Sequence, residues 1–169
     1  MFAGLALVVD GSTVRFRSAE TRDQPFLAAV YATTREEELA HAPWTPEQKR
    51  VFLSQQFAAQ DHAYTANYPG AERWVITVDG VDSGRLYLHP RGGEIRIMDI
   101  ALLPPARRRG IGTATLQQVL RRAAAASQRV SIHVECFNPA RRLYERLGFK
   151  VVSAGPVYLL LERAPPPAT

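Results

Sequence analysis

The chain has 169 residues, of which 46% are hydrophobic and 22% charged. This length and composition fit one folded domain, and they exclude both a disordered chain and two domains with separate full-sized cores. The chain has 21 Lys and Arg residues against 16 Asp and Glu, which gives a net charge of +5. All of the basic residues except Lys49 and Lys150 are arginine. An excess of arginine favours phosphate-bearing partners, although a general bias towards arginine would give the same composition.

The first two thirds of the chain predict strands and helices around a single core. Alternation with a period of two marks the strands, apolar residues three and four apart mark the helices, and Asp79-Gly80 marks a hairpin. Residues 1–11 are predicted to be an extension that precedes the domain. In chain order we predict a strand at 14–17, a helix through 26–31, a helix from Pro46 towards Asp61, and strands at 74–78, 85–88 and 94–103.

The last third of the chain predicts alternating helices and strands. Pro104 and Pro105 end the preceding strand, and Ile111, Leu116 and Val119 then follow helical spacing. The predicted elements are a helix at 110–127, a strand at 130–134, a helix at 139–147, strands at 149–152 and 157–161, and a proline-rich tail at 164–169. This order predicts a mixed α/β domain.

Cysteine content and the length of uncharged runs restrict the possible disulfides, metal sites and membrane spans. Cys136 is the only cysteine, which excludes an internal disulfide and a zinc site built from cysteines, and we predict no metal. The longest uncharged runs, such as 110–120 and 151–161, are eleven residues, too short to cross a bilayer. We therefore predict a cytoplasmic protein with no membrane partner.

The segment from Arg107 to Thr113 carries the strongest functional signal. It has the pattern Arg-x-x-Gly-x-Gly and lies between a proline-terminated strand and a helix. Free N–H groups at a helix start attract anions, glycine lets a phosphate approach the main chain, and nearby arginines add charged hydrogen bonds. The spacing fits neither the dinucleotide-binding pattern nor the P-loop. We predict a pyrophosphate site, the alternative being a solvated basic helix start.

A second motif runs from Asn138-Pro-Ala through Leu143-Tyr-Glu-Arg-Leu-Gly-Phe149. Together with Ile100–Thr113 it resembles the GNAT superfamily of N-acetyltransferases, over most of the chain from about Val14 to Arg163. The resemblance implies one domain at 12–163, with a mixed, mostly antiparallel central sheet of six to seven strands flanked by about four helices. It also implies that acetyl-CoA is the co-substrate and that its acetyl group passes directly to a primary amine in a ternary complex.

The resemblance places the cofactor at the helix start, the preceding strand and the second motif. Arg107, Gly110 and Gly112 occupy the three defined positions of the family pattern, whereas Arg108 stands where many members have glycine. A backbone N–H of Ala101 or Leu102 is implied to polarise the thioester carbonyl. The implied cofactor-binding residues are Ala101, Leu102, Leu103, Arg107, Arg108, Arg109, Gly110, Ile111, Gly112, Thr113, Asn138 and Tyr144.

Tyr144 occupies the position of the family's general acid. A phenol with a pKa of about 10 can protonate a leaving thiolate whose thiol has a pKa of about 8.5 if the two are adjacent. The alternative is a core aromatic residue whose hydroxyl makes a structural bond. Pro139 is implied to begin the helix that presents Tyr144.

The general base is less clearly marked. His133 lies where some family members have an acidic base, and neutral imidazole accepts a proton near pH 7. Period-two alternation predicts that His133 shares a strand face with Glu135, and that Asp99 points with Ile97, away from Glu94. Glu94, Asp99 and a bound water are the alternatives to His133.

The acceptor pocket is predicted to involve the first two helices and the loop between them. Glu37 lies in a run of three acids that could attract a cationic amine, although such runs are commonly solvated. Tyr31 and Trp44 are the candidate walls of the pocket, or else core residues. The acceptor is a small-molecule or peptide amine of open identity.

Two other functions fit parts of the sequence. A catalytically silent CoA-binding or regulatory domain would carry the same motifs. An arginine-rich module that binds nucleic acid is the less favoured alternative, because no recognised motif and no interleaved aromatic residues accompany the arginines. We therefore predict no nucleic-acid partner. A homodimer formed by the late strands is compatible with the implied fold, but no residue identifies it.

Overall fold

The computed structural model describes residues 2–165, which form one eight-stranded sheet with helices on both faces. The strands are β1 (Ala6–Val9), β2 (Ser12–Ser18), β3 (Glu72–Val78), β4 (Val81–Arg91), β5 (Glu94–Leu102), β6 (Arg129–Glu135), β7 (Lys150–Ala154) and β8 (Tyr158–Arg163). The helices are α1 (Gln24–Thr33), α2 (Glu36–Ala40), α3 (Pro46–Asn67), α4 (Ile111–Ala125) and α5 (Arg141–Arg146).

The sheet has the order β1-β2-β3-β4-β5-β6-β8-β7. Neighbouring strands are antiparallel except for β5 and β6, which are parallel. The predicted mixed and mostly antiparallel sheet is confirmed. It has one strand more than the upper limit of the prediction, and the described residues contain five α-helices where about four were expected.

The additional strand comes from the segment predicted to lie outside the domain. Asp10 and Gly11 have φ angles of 50° and 73°, which allow a two-residue turn that pairs β1 with β2. Phe2 is fully buried, with its ring centroid 4.9 Å from that of Phe16. β1 thus joins the sheet of the predicted domain through the same hairpin signal that Asp79-Gly80 gives, and the domain boundary at residue 12 stays a prediction. Met1 and residues 166–169 of the predicted tail lie outside the described residues.

The start of α3 shows how local sequence sets a helix boundary. The Thr45 hydroxyl accepts a hydrogen bond from the Gln48 N–H at 3.2 Å, and the Gln48 side chain accepts one from the Thr45 N–H at 2.8 Å. This reciprocal cap, followed by Pro46 at the first helical position, fixes the predicted start. The helix continues to Asn67, beyond the predicted Asp61, and it packs on one face of the sheet through Phe57.

Two apolar clusters lie on opposite faces of the sheet. The larger one includes Leu116 and Tyr144 and packs beneath α4 and α5. The smaller one includes Leu27, Phe57 and Tyr87 and packs beneath α1 and α3. We refer to these as the α4/α5 face and the α1/α3 face.

The sheet opens between β5 and β6. These strands pair only as far as Ile97 with Ile132, whereas β6 continues to pair with β8 as far as Glu135. At the point of separation β5 also has an extra residue, Met98, opposite β4. Such bulges bend a strand and commonly occur next to active sites. The opening, which we call the split, gives both faces of the sheet access to the end of β5.

The same bulge reverses the predicted direction of Asp99. Asp99 pairs with Tyr87, whose side chain lies in the cluster under α1 and α3. Asp99 therefore faces the α1/α3 side, and the prediction that it points with Ile97 is wrong. An extra residue shifts the alternation of side chains by one position, which a strict period of two does not anticipate.

Candidate functional site

A cleft of about 340 Å³ lies on the α4/α5 face beside the split. It is bounded by the end of β5, the turn before α4 and one side of α5. Its lining residues are Ile100, Ala101, Leu102, Arg107, Arg108, Gly110, Gly112, Thr113, Leu116, Ala140, Leu143 and Tyr144. The structure thus brings the two sequence motifs together around one cavity.

The turn into α4 presents a series of free amides. The N–H groups from Arg108 to Thr113 have no acceptor within residues 2–165, and the first helical bond is donated by Ala114 to the Gly110 carbonyl at 2.9 Å. Arg108 and Gly110 have φ angles of 58° and 77°. Left-handed residues within such a turn aim successive N–H groups at one point, and the helix dipole adds positive potential there. This arrangement can hold a phosphate or pyrophosphate.

The two glycines of this turn have different structural requirements. Gly110 has a positive φ, where any side chain would be strained. Gly112 has no such constraint, and a Cβ built there would lie 3.8 Å from Leu102 Cδ1, an ordinary contact. The fold would therefore accept alanine at position 112, and the free space beside Gly112 remains open to a ligand.

Two of the three consecutive arginines are bonded within the protein. Arg107 donates to the Leu102 carbonyl at 2.8 Å and to the Thr33 hydroxyl at 3.0 Å. Arg109 donates to the Ser12 hydroxyl at 2.6 Å. Among the described residues, Arg108 has no hydrogen-bond or ion-pair partner. Arg107 and Arg109 therefore brace the turn, and only Arg108 is free to meet an anion with its side chain.

The end of β5 distinguishes the two amides that the sequence left as alternatives. The Leu103 N–H donates to the Ser83 carbonyl of β4 at 2.8 Å. Because successive N–H groups in a strand point to opposite edges, the Ala101 N–H also faces β4 and the Leu102 N–H faces the split. Leu102 is therefore the better placed of the two to donate to a ligand in the cleft.

Gly84 is a residue of the site that the sequence analysis missed. It pairs with Leu102, and a Cβ built on it would lie 2.5 Å from the Ala101 carbonyl and 2.7 Å from Leu102 Cδ2. Its missing side chain therefore lets β4 approach the end of β5. An isolated glycine inside a predicted strand is the signal that could have identified it.

Tyr144 lines the cleft while most of its side chain is buried. Its ring packs against Phe149 with centroids 5.7 Å apart, and its hydroxyl has no hydrogen-bond partner among the described residues. Burial, and secondarily the negative charge of Asp99, raise the pKa of the phenol. Tyr144 therefore stays protonated near neutral pH and is available as a hydrogen-bond donor.

Asn138 supports the helix that carries Tyr144. Its side-chain oxygen accepts a hydrogen bond from the Ala140 N–H at 2.9 Å, which orders the turn before α5. It faces a separate surface hollow of about 590 Å³ beside Phe137 and Arg141. A direct contact between Asn138 and the cofactor stays a prediction.

His133 lies at the mouth of the split on the α1/α3 side. It is the first residue of β6 beyond the last pair with β5, and its side chain is exposed. Burial of part of the ring, followed by the charge of Arg96, lowers the pKa of His133. The imidazole is therefore neutral at pH 7 and able to accept a proton.

Glu94 lies at the other end of β5, away from the split. Its carboxylate accepts hydrogen bonds from Ser131 and, at 3.0 Å, from Arg129. Burial opposes ionisation, but these two hydrogen bonds lower the pKa of Glu94 overall. Glu94 is thus held as a structural carboxylate, and its position does not suit a base at the split.

Asp99 forms an ion pair with Arg85 beneath α1 and α3. Arg85 is 1% exposed and also donates to the Gln60 side chain at 3.0 Å. Its guanidinium lies 5.0 Å from the Tyr87 ring centroid and 5.7 Å from that of Tyr31. The α1/α3 side of the split therefore has an ordered, buried charge pair enclosed by aromatic rings.

The three predicted acceptor residues are not brought together. Tyr31 is buried beside Phe57 and Arg85, and Glu37 is exposed on α2. Trp44 stacks on Phe52 with ring centroids 5.0 Å apart and borders a different hollow of about 350 Å³. Tyr31 is the only one of the three near the Arg85–Asp99 pair.

Residues 2–165 contain neither a cluster of potential metal ligands nor a helix suited to span a membrane. No three His, Cys, Asp or Glu side chains in this range are grouped as metal ligands would be. No helix in this range has the length and apolar character needed to cross a bilayer.

Comparison with known families agrees with the geometry. The model of the "Acetyltransferase (GNAT) family" matches residues 29–149, which include the cleft, the split and both motifs. A comparison with curated protein sequences finds no match.

Solved structures show the same fold at low sequence identity. The PaiA N-acetyltransferase of Thermoplasma acidophilum in complex with coenzyme A has a TM-score of 0.69 and 14% identity, covering 89% of this chain and 98% of that one. The ribosomal-protein-S18-alanine N-acetyltransferase of Escherichia coli has a TM-score of 0.60 and 21% identity, with coverages of 92% and 96%. The spermidine N-acetyltransferase of Vibrio cholerae in complex with CoA and spermine has a TM-score of 0.62 and 15% identity, with coverages of 89% and 95%.

Proposed function

The chain belongs to the GNAT acetyltransferase family, and from this premise we propose that it transfers the acetyl group of acetyl-CoA directly to a primary amine. The free amides at the start of α4 carry the proposal. The six N–H groups from Arg108 to Thr113 have no acceptor among the described residues, and Gly112 adds no side chain to the cleft beside them. A pyrophosphate, the group that joins the two halves of CoA, fits this donor set in charge and hydrogen-bonding capacity.

The residues of the cleft match the needs of acyl transfer. Acetyl-CoA supplies a thioester, whose carbonyl must be polarised and whose sulfur must leave. The Leu102 N–H faces the split and is the donor we assign to the carbonyl oxygen. Tyr144 lines the same cleft with a free hydroxyl, and we assign it to the sulfur. Because its pKa is raised, we expect Tyr144 to stabilise the leaving sulfur mainly by donating a hydrogen bond.

The attacking amine enters, in this proposal, from the α1/α3 side of the split. An ammonium must lose a proton before it attacks, and His133 stands at this mouth with a lowered pKa. Asp99 is the alternative base, but its carboxylate is already engaged in an ion pair with Arg85. We therefore favour His133, with transfer in a ternary complex and no acyl-enzyme.

The test is a turnover assay in which acetyl-CoA and a panel of amines are incubated with the protein and free CoA thiol is measured. The panel contains polyamines, amino acids, peptides with free N-termini and lysine analogues. Thiol release that depends on one amine, together with the acetylated product by mass spectrometry, would support the proposal. The matched variant is Tyr144→Phe, which retains the ring that packs on Phe149.

The same assay separates the alternative functions. If acetyl-CoA binds but no amine causes thiol release, the protein acts as a silent CoA-binding domain. If acetyl-CoA does not bind, the assignment of the turn to pyrophosphate is wrong. The acceptor, the cytoplasmic location and the homodimer stay predictions.

A further inference from the structure

Arg96 differs from the other arginines of the central strands. β4, β5 and β6 contain four arginines, and three of them have a carboxylate partner within 4.0 Å: Arg85 pairs with Asp99, while Arg91 and Arg129 pair with Glu94. Arg96 has no such partner among the described residues, and its Nε is buried without a hydrogen bond. A buried donor of this kind is costly unless something satisfies it.

The surroundings of Arg96 leave its charge uncompensated. Its neighbour on β4 is His89, whose Nε2 contacts the Pro69 carbonyl at 3.1 Å while its buried Nδ1 has no partner. Its neighbour on β6 is Ser131, whose hydroxyl is bonded to Glu94. The nearby carboxylates Glu94 and Asp99 are each engaged by other arginines. Surplus positive charge therefore remains at Arg96, which also contributes to the lowered pKa of His133.

The position of Arg96 relates this charge to the proposed acceptor path. Arg96 lies on the α1/α3 face, two residues before the bulge at Met98, and next to the mouth of the split. The seven residues from Arg96 to Leu102 span about 20 Å of strand, and a long arginine side chain could cover part of that distance. A group held by Arg96 would therefore lie several bonds from an amine at the end of β5, farther than the carboxylate of an α-amino acid is from its own amine.

We propose that Arg96 recognises an anionic group on the acceptor, so that the preferred substrate carries both a primary amine and, several bonds away, a carboxylate. This inference rests on the proposed acetyl transfer and narrows its acceptor class. An ω-amino acid and a peptide with an acidic residue near its N-terminus both present this chemistry. A polyamine does not, because its second charged group would face the unpaired guanidinium.

The experiment measures acceptor binding without relying on turnover. Protein saturated with CoA is titrated calorimetrically with ω-amino acids of four to eight carbons and with α,ω-diamines of the same lengths. A second arm compares short peptides that carry Glu or Gln at the second position. We expect the carboxylate-bearing member of each pair to bind at least tenfold more tightly. The arm with the larger preference identifies whether a free ω-amino acid or a peptide is the better ligand.

Two variants make the test specific to this site. Arg96→Gln should remove the preference for the carboxylate and leave CoA affinity unchanged. Arg15→Gln is the matched control, because Arg15 also faces this side without an ion-pair partner among the described residues but lies on β2, three strands away. It should retain the preference.

Four outcomes of these titrations would contradict the proposed recognition of a carboxylate by Arg96. Equal binding of the paired compounds, tighter binding of diamines, or a preference that survives in Arg96→Gln would overturn it. Binding of neither compound class also counts against it. A failure of the proposed acetyl transfer is distinguishable, because it would appear as absent CoA binding in the saturation step or as absent thiol release in the turnover assay, neither of which the acceptor titration measures.

Discussion

The two faces of the sheet meet at the split but are built from opposite kinds of interaction. On the α4/α5 face, six backbone amides are left without acceptors and Arg107 and Arg109 hold the turn that displays them. On the α1/α3 face, the buried Arg85 and the partly buried Asp99 neutralise each other within a layer of aromatic rings. One face presents main-chain donors, and the other presents charged and aromatic side chains.

This difference separates a surface set by the course of the backbone from one set by individual side chains. Main-chain donors depend on the course of the backbone, so those of the α4/α5 face require Gly110 and the turn rather than particular side chains. Side-chain pairs depend on each residue, so a single change on the α1/α3 face alters charge and shape directly. The predictions below test this division, beginning with the largest effect.

Removing Arg85 should be the most damaging single change. Arg85→Ala leaves the Asp99 carboxylate beneath α1 and α3 without its partner, and breaking a buried pair in this way costs about 3–5 kcal/mol. Chemical denaturation should show the loss in the free energy of unfolding. The double variant Arg85→Met with Asp99→Leu should recover most of it. If Arg85→Ala unfolds at the same denaturant concentration as the wild type, the pair does not stabilise this face.

Gly112→Asp should strongly weaken binding of acetyl-CoA while changing stability little. The space around position 112 accepts a side chain, but a carboxylate there would repel a pyrophosphate at the free amides. We expect a loss of affinity of about 100-fold, roughly 2.7 kcal/mol, by calorimetry. Gly112→Ala is the steric control, and it should weaken binding with no fall in melting temperature. Wild-type affinity in Gly112→Asp would show that the anion lies elsewhere.

Tyr144→Phe should lower kcat by about 10²-fold, the lower end of what a positioned proton or hydrogen-bond donor contributes. The ring still packs on Phe149, so the fold and the affinity for acetyl-CoA should be unchanged. Steady-state kinetics with a saturating acceptor measure the effect. Unaltered turnover would remove Tyr144 from the reaction and leave it as a core residue.

Arg109→Ala should have a smaller, indirect effect on the α4/α5 face. Arg109 reaches from the turn to Ser12 at the start of β2, so its loss frees the turn without removing a free amide. We expect affinity for CoA to fall about tenfold, or roughly 1.4 kcal/mol, with kcat preserved. Ser12→Ala should reproduce part of this loss. If only kcat falls, Arg109 acts in a way other than by positioning the turn.

The smallest predicted effect is the pH dependence due to His133. Because its pKa is lowered from 6.5, the neutral base should persist at pH 6.5, and kcat should decline only as the pH falls below the lowered pKa. The acid limb of the pH profile should disappear in His133→Gln, together with part of the rate. A profile with the same acid limb in this variant would assign the limb to Asp99 or to the acceptor.

Sequence patterns predicted the α4/α5 side more completely than the α1/α3 side, for a physical reason. The segment from Arg107 to Thr113 is local, so its glycines and the helix start can be read directly from neighbouring residues. The bulge at Met98, by contrast, arises from the pairing of β5 with β4, and it alone decides where Asp99 points. The Asp10-Gly11 turn was readable but was overlooked.

The roles of individual arginines also depended on contacts between distant residues. Arg107 and Arg109 were expected to meet a phosphate, yet each is bonded to a residue more than seventy positions away. The sequence assigned no role to Arg96, and only its lack of a partner in the fold suggests one. Spacing identifies a motif, but it cannot tell a bonded side chain from a free one.

The most direct test of the account is hydrogen exchange of the backbone amides from Arg108 to Thr113, followed by NMR with and without acetyl-CoA. These six amides have no acceptor in the described chain, so they should exchange rapidly in the free protein. We expect saturating acetyl-CoA to protect several of them, Gly112 and Thr113 included, and to leave the amides of the Asp79-Gly80 hairpin unaffected. Unchanged exchange at all six in the presence of acetyl-CoA would contradict the central claim.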